Sequence, residues 1–80
     1  MITFTERARG VLGRADLAAR RFNPDARVRI ARAGDQIASS LADTPSEGDQ
    51  VIEVDGVTVF VGADLTGEID AGEHDRFVVR

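Results

Sequence analysis

The strongest pattern in the chain is V-I-E-V-D-G-V-T-V-F-V over residues 51–61, two β-branched runs joined by Asp55-Gly56. A two-residue Asp-Gly loop between such runs predicts a β-hairpin on a type I′ turn, because positive φ at both central residues matches the twist of the flanking strands. That turn pairs Val54 with Val57, Glu53 with Thr58, Ile52 with Val59 and Val51 with Phe60. Successive side chains point to opposite faces, so Ile52, Val54, Val57, Val59 and Val61 form one wholly apolar face that must be covered. The other face is polar at Glu53 and Thr58 and needs cover only at Val51 and Phe60. A three-residue loop with a bulge is the alternative and would shift the register by one.

Ile2-Thr3-Phe4 opens the chain as a short strand, and Thr5, or Thr3 in a Thr3-x-x-Glu6 capping box, starts a helix. Ala8, Val11, Leu12, Ala15, Ala19 and Phe22 then recur at spacings of three and four, the apolar stripe of an amphipathic helix. Gly10 and Gly13 each weaken it by about 1 kcal/mol relative to Ala, so the helix depends on packing, and the hairpin face is the surface available. Arg20 and Arg21 suit the helix C-terminus, and Asn23-Pro24 ends it. From Arg27 the period changes to two: Val28 and Ile30 alternate with Arg27, Arg29 and Ala31 in a half-buried strand reaching Ala33. Gly34-Asp35 is a turn, Ile37 to Ala42 a weaker Ala- and Ser-rich strand, and Thr44 to Asp49 a loop. Beyond Gly62, Ala63-Asp64-Leu65 reads as one turn, Glu68-Ile69-Asp70 as a short strand, residues 71–75 as an exposed turn and Phe77 to Val79 as a closing strand. The expectation is a single α+β domain over residues 1–80, two small, mostly antiparallel or mixed sheets with one main helix near the N-terminus.

Composition narrows the classes. Eighty residues suffice for one modest core, burying roughly 60–65% of the unfolded surface. With 42% hydrophobic and 30% charged residues the chain reads as globular rather than disordered. No apolar run is long enough to cross a membrane, and M-I-T-F-T-E-R-A-R-G lacks the charged and apolar regions of a signal peptide, so a cytoplasmic location is expected. The absence of cysteine removes disulfides, thiolate metal sites and thiol catalysis together.

Charge is divided along the chain. Residues 1–32 hold eight Arg against Glu6, Asp16 and Asp25, or +5, while residues 33–80 hold eleven acids against Arg76 and Arg80, or −9. Such a division suits either pairing within the fold or self-complementary association, including a homodimer. All ten basic residues are Arg, a usage that reads as the mark of a GC-rich genome before it reads as selection for anion binding. Net acidity and the absence of Tyr and Trp argue against a nucleic-acid partner.

The order of these segments resembles the A-type iron-sulfur carrier family, the HesB-like proteins, over nearly the whole chain. The resemblance rests on I-T-F-T-E-R-A (2–8), V-R-I-A (28–31), D-T-P-S-E-G-D (43–49), the hairpin of residues 51–61 and L-T-G-E-I-D (65–70). It implies a HesB-like fold of two curved sheets around one conspicuous helix, assembly as dimers or higher oligomers, and a role in iron-sulfur cluster delivery. Cluster-carrying members place one cysteine in a Gly-rich loop after the strand matching 28–31 and two more in a C-terminal C-G-C segment. Here that loop is only Ala33-Gly34-Asp35-Gln36, and neither segment supplies a cysteine. Carboxylates, serines and one His are poor substitutes for thiolates around such a cluster, so no cofactor is expected.

Other constellations are thin. Asp70, Glu73, His74 and Asp75 gather oxygen and imidazole donors within six residues, a weak metal candidate whose plainer reading is an acidic, solvated turn. Asp43, Glu47 and Asp49 lack the spacing of a calcium loop. Ser39-Ser40 has no base nearby in sequence. Arg7, Arg14, Arg20 and Arg21 on the helix form either a contact surface for an acidic partner or its wet face. The expected function is therefore that of a non-catalytic, cysteine-free HesB-like module for protein interaction. The alternative is an accessory protein of metal homeostasis using oxygen and His donors.

Overall fold

The hairpin forms in the register that a two-residue Asp-Gly turn dictates. A computed structural model describes residues 2–80, and in it Val54 pairs with Val57, Glu53 with Thr58, Ile52 with Val59 and Val51 with Phe60. Asp55 and Gly56 have φ of 52° and 81°, the two positive values that a type I′ turn requires. The bulged alternative is thereby excluded.

The elements follow in the order β1 (Ile2–Phe4), α1 (Glu6–Phe22), β2 (Arg27–Ala33), β3 (Gln36–Ala42), β4 (Gln50–Val54), β5 (Val57–Val61), β6 (Gly67–Ala71) and β7 (Phe77–Val79), with a short turn at Glu73–Asp75 before the last. They build two mixed sheets, one ordered β3-β2-β5-β4 and the other β1-β6-β7. Hairpins join β2 to β3 and β4 to β5, whereas β2 pairs with β5 and β1 with β6 in parallel. The parallel pairs set the topology, because each joins strands distant in sequence.

Thr5, not Thr3, caps α1: its Oγ1 accepts from the Ala8 N–H at 3.1 Å. The inward stripe is nearly the predicted one. Ala8, Val11, Leu12 and Ala19 are buried and Ala15 packs against them, but two positions depart. Asp16 is buried among them, while Phe22 is 89% exposed at the end of the helix, at the rim of a shallow cavity with Leu41 and Ala42 of β3. Nor does α1 simply cover the hairpin. It packs chiefly on β2 and β6, with lesser contact to β1 and β5, so it spans both sheets. The hairpin's Val54, Val59 and Val61 are covered by a core to which α1 adds Leu12 and the other sheet adds Phe4, Ile69 and Phe77.

On the opposite face Phe60 is buried while Val51 stays exposed. Register places Phe60 between Arg29 and Val51. A tether from Arg29 to Asp49, described below, draws the 43–49 loop toward this face.

Glycine substitutions separate turn from helix. Gly56, at φ 81°, resists a Cβ by conformation alone, so Gly56→Ala is expected to lower stability by about 1–2 kcal/mol. Gly13 lies within α1 with nothing near its missing Cβ, so Gly13→Ala is expected to raise stability by about 1 kcal/mol. Urea unfolding of both variants against wild type measures the opposite signs.

Candidate functional site

The carboxylates that the sequence offers as chemistry are held in structural roles. Asp49 ends the D-T-P-S-E-G-D loop, and Arg29 lies on β2 facing away from the core. Arg29 donates to Asp49 through two parallel bonds, Nε to Oδ2 at 2.7 Å and Nη2 to Oδ1 at 2.8 Å. The Ser46 N–H adds a third at 2.9 Å. A planar guanidinium fork suits this geometry, and the enclosed carboxylate has its lone pairs filled. The Arg29 hydrogen bonds hold the Asp49 carboxyl below its usual range against the opposing effect of desolvation. The family-like loop is thus tethered through its last residue. Its Asp43 and Glu47 are exposed and take no part.

Asp70 ties three segments together. Its Oδ1 accepts from the Thr5 hydroxyl at 2.7 Å and from the Ala71 N–H at 2.8 Å, and its Oδ2 pairs with Arg80. Thr5 therefore caps α1 and anchors it to β6 at once, with its own N–H donating to the Ile69 carbonyl at 2.9 Å. The hydroxyl bond from Thr5, more than any other contact, lowers the Asp70 carboxyl from its ordinary value.

The four donors proposed from sequence for a metal do not converge. Asp70 is buried and occupied as above, Glu73 and His74 are exposed, and Asp75 lies 3.7 Å from Arg14. Among the described residues no three His, Asp or Glu side chains gather in a group able to hold a metal ion. His74 and Asp75 do share one unusual feature, left-handed φ of 58° and 56° in succession, which turns the chain sharply before β7.

Two surfaces carry more promise than the carboxylates. One is the outer side of α1, where Arg7, Arg14 and Arg21 recur every seven residues beside Leu17, which is 61% exposed, and lead to Phe22. Arg7 and Arg21 have no ion-pair partner among the described residues, whereas Arg14 reaches Asp75 and Arg20 reaches Asp16 at 3.3 Å. Asp16 Oδ1 has no hydrogen-bond partner among the described residues. The other surface is a seam between β3 and β7, the facing edges of the two sheets. A cavity of about 390 Å³ opens there between Arg32, Gln36 and Ile37 on one side and Arg76, Phe77 and Val79 on the other. An adjoining cavity of about 340 Å³ brings Ser39 and His74, distant in sequence, to a common rim. No hydrogen bond joins the two side chains among the described residues. Sequence periodicity could not find this seam, since it depends on how the two sheets are placed.

The protein is thus of the α+β class, one helix and two mixed sheets around a shared core, and no helix among its described residues is long and apolar enough to cross a membrane. No protein-family model and no curated protein matches the chain.

Asp49 and Asp70 set an expected pH dependence. Both carboxyls titrate lower in the folded chain than in an unfolded one, so the fold favours their charged forms. Their contribution is complete above the unfolded value of about 3.9 and is lost as pH falls through the lowered folded values. Asp49→Asn and Asp70→Asn are each expected to be less stable than wild type near neutral pH. Each should also lose less stability on further acidification below about pH 4, as measured by urea unfolding across the acid range.

Proposed function

We propose that the chain is a HesB-like domain without cluster ligation that serves as a protein-interaction or scaffold module. The observation that carries this reading is the outer side of α1. Leu17 and Phe22 lie exposed beside Arg14 and Arg21, with Arg7 farther along the same outer side, on the helix that supplies the inner core. An exposed aromatic residue beside guanidinium groups is a composition enriched where protein interfaces concentrate their binding energy.

The family part of the proposal is supported by the order of elements and by the tethered 43–49 loop. It is supported further by the seam, where the turn after β2 and strand β7 line one cavity. In cluster-carrying HesB-like proteins the ligand cysteines belong to the corresponding loop and to the C-terminal segment. Here the seam offers no thiolate, and its Asp35, His74 and Asp75 do not gather into a group able to hold a metal among the described residues. The partner that fits the α1 surface is a protein with an acidic patch around an apolar depression. Phe22 and Leu17 would supply the buried contacts, and the arginines the orientation.

Two measurements test this. Anaerobic reconstitution with iron and sulfide is expected to leave the chain colourless after desalting; a stable chromophore with stoichiometric iron would sink the reading. Immobilised wild type is expected to retain from source-cell lysate a protein that elutes as salt approaches 1 M, where the screening length falls to about 3 Å. The double variant Arg14→Glu, Arg21→Glu should retain none of it. Equal retention by both chains removes the α1 surface from the proposal.

A further inference from the structure

We propose that the seam between β3 and β7 is a binding site for a small zwitterion with an apolar side chain, an α-amino acid of the leucine type. The site is separate from the outer side of α1 and does not depend on the module reading. Two cavities adjoin at the seam, of about 390 Å³ and about 340 Å³, and Gln36, Ile37, Arg76 and Phe77 belong to the walls of both. Each is of the size at which clefts begin to enclose small molecules.

Charge selects the ligand. Arg32, Asp35 and Arg76 stand around the larger cavity and Asp75 beside the smaller one. Arg32 is taken up by Asp64 at 3.2 Å, and Asp75 by Arg14 at 3.7 Å. Asp35 and Arg76 remain, one carboxylate and one guanidinium in the wall of the same cavity. Neither has an ion-pair partner among the described residues, and they do not reach each other. Both are carried on fixed backbone. Asp35 belongs to the two-residue turn that Ala33 and Gln36 close between β2 and β3. The Arg76 N–H donates to the Glu73 carbonyl at 3.2 Å, and its carbonyl accepts from the Gly72 N–H at 2.7 Å. Directly before it stand His74 and Asp75 with their left-handed φ, conformations that persist where the surroundings enforce them and that cluster at ligand sites. Two opposite charges held apart around one cavity suit a molecule that bears both.

The apolar wall supplies the third contact. Ile37 packs against the core, Phe77 is buried and Val79 is 38% exposed, and all three line the larger cavity. In the proposed complex the Arg76 guanidinium forks onto the ligand carboxylate, and the ligand ammonium donates to Asp35. The side chain then lies on Ile37, Phe77 and Val79 and removes apolar surface from water on both partners. Glycine would meet the charges alone, and an aliphatic acid or amine only one of them. Asp35 and Arg76 are both exposed, so solvent screens each ion pair and binding is expected in the millimolar range.

Titration of the isotope-labelled full chain with L-leucine, followed through amide chemical shifts, is expected to move the signals of residues 35–38 and 76–79 saturably. Isocaproate, which lacks the ammonium group, and isoamylamine, which lacks the carboxylate, should each bind about fivefold more weakly, the factor that corresponds to about 1 kcal/mol for one exposed ion pair. Arg76→Gln should weaken leucine by the same factor and leave isoamylamine unchanged, while Asp35→Asn should weaken leucine and leave isocaproate unchanged. Both positions are exposed and neither side chain is bonded within the fold among the described residues, so the spectra of the variants should match wild type away from the seam. The absence of saturable shifts at the seam overturns the site, as do saturable shifts confined to other residues. Isocaproate binding as tightly as leucine reduces the seam to a plain anion site and overturns the zwitterion, and leucine binding that is indifferent to both variants does the same. Lysate capture through Arg14 and Arg21 is measured separately, so failure at the seam leaves the module reading standing.

Discussion

Helix α1 lies against both sheets, and the core depends on that placement. Each sheet is narrow, and each turns an apolar face inward that it cannot cover alone. Strands β2 and β6 receive the helix together, so Leu12 and Val11 share a cluster with Ile30 and Val59 of one sheet and Ile69 and Phe77 of the other. Deleting atoms from Leu12 would therefore open a cavity common to both layers. The polar contacts around the helix start serve the same end. Thr5 satisfies a free N–H of the first turn, and its bond to Asp70 fixes where that turn sits on β6. A cap that is also a tertiary tether is economical in a chain of 80 residues, where few side chains are left over for separate tasks.

How far the fold could be read from sequence follows from the range of each interaction. The β4–β5 hairpin was legible in full because Asp55-Gly56 determines its register locally. Strands β2 and β3 were legible for the same reason, through Gly34-Asp35. The parallel pairs β1–β6 and β2–β5 were not, since no local signal records which distant strands meet. Helical spacing placed Phe22 on the inward stripe, but spacing carries no information about which tertiary neighbours the last turn meets, and Phe22 is exposed there. Asp16 went unnoticed for the opposite reason: a charged residue on the buried face contradicts the pattern used to define that face. Of the site, the arginines of α1 were visible as charges off the stripe, whereas the β3–β7 seam required both sheets to be placed.

The charge division along the sequence resolves mainly into contacts within the fold. Arg9, Arg14, Arg29 and Arg32 from the basic segment meet Asp55, Asp75, Asp49 and Asp64 from the acidic one. These pairs are not equivalent. Arg9, Arg14 and Arg32 pair at exposed positions with lengths of 3.2 to 3.7 Å, where solvent screening leaves little net stabilisation. Arg29 and Asp49 pair with the carboxylate enclosed and both oxygens engaged, so removing either partner strands the other without its bonds. Asp49 is therefore structural in the strict sense that the loop preceding β4 is organised around it.

What remains after this pairing locates the chemistry of the surface. Arg7 and Arg21 on the outer side of α1 and Arg76 at the seam have no ion-pair partner among the described residues, and Arg21 lies beside the exposed Leu17 and Phe22. Uncommitted charge beside uncovered apolar surface is a combination that folding alone does not require, because a solvated helix face would be served as well by polar side chains throughout. Stability within one chain explains the inward half of each element. The outward half of α1 is left to solvent, with Leu17 and Phe22 exposed beside Arg21.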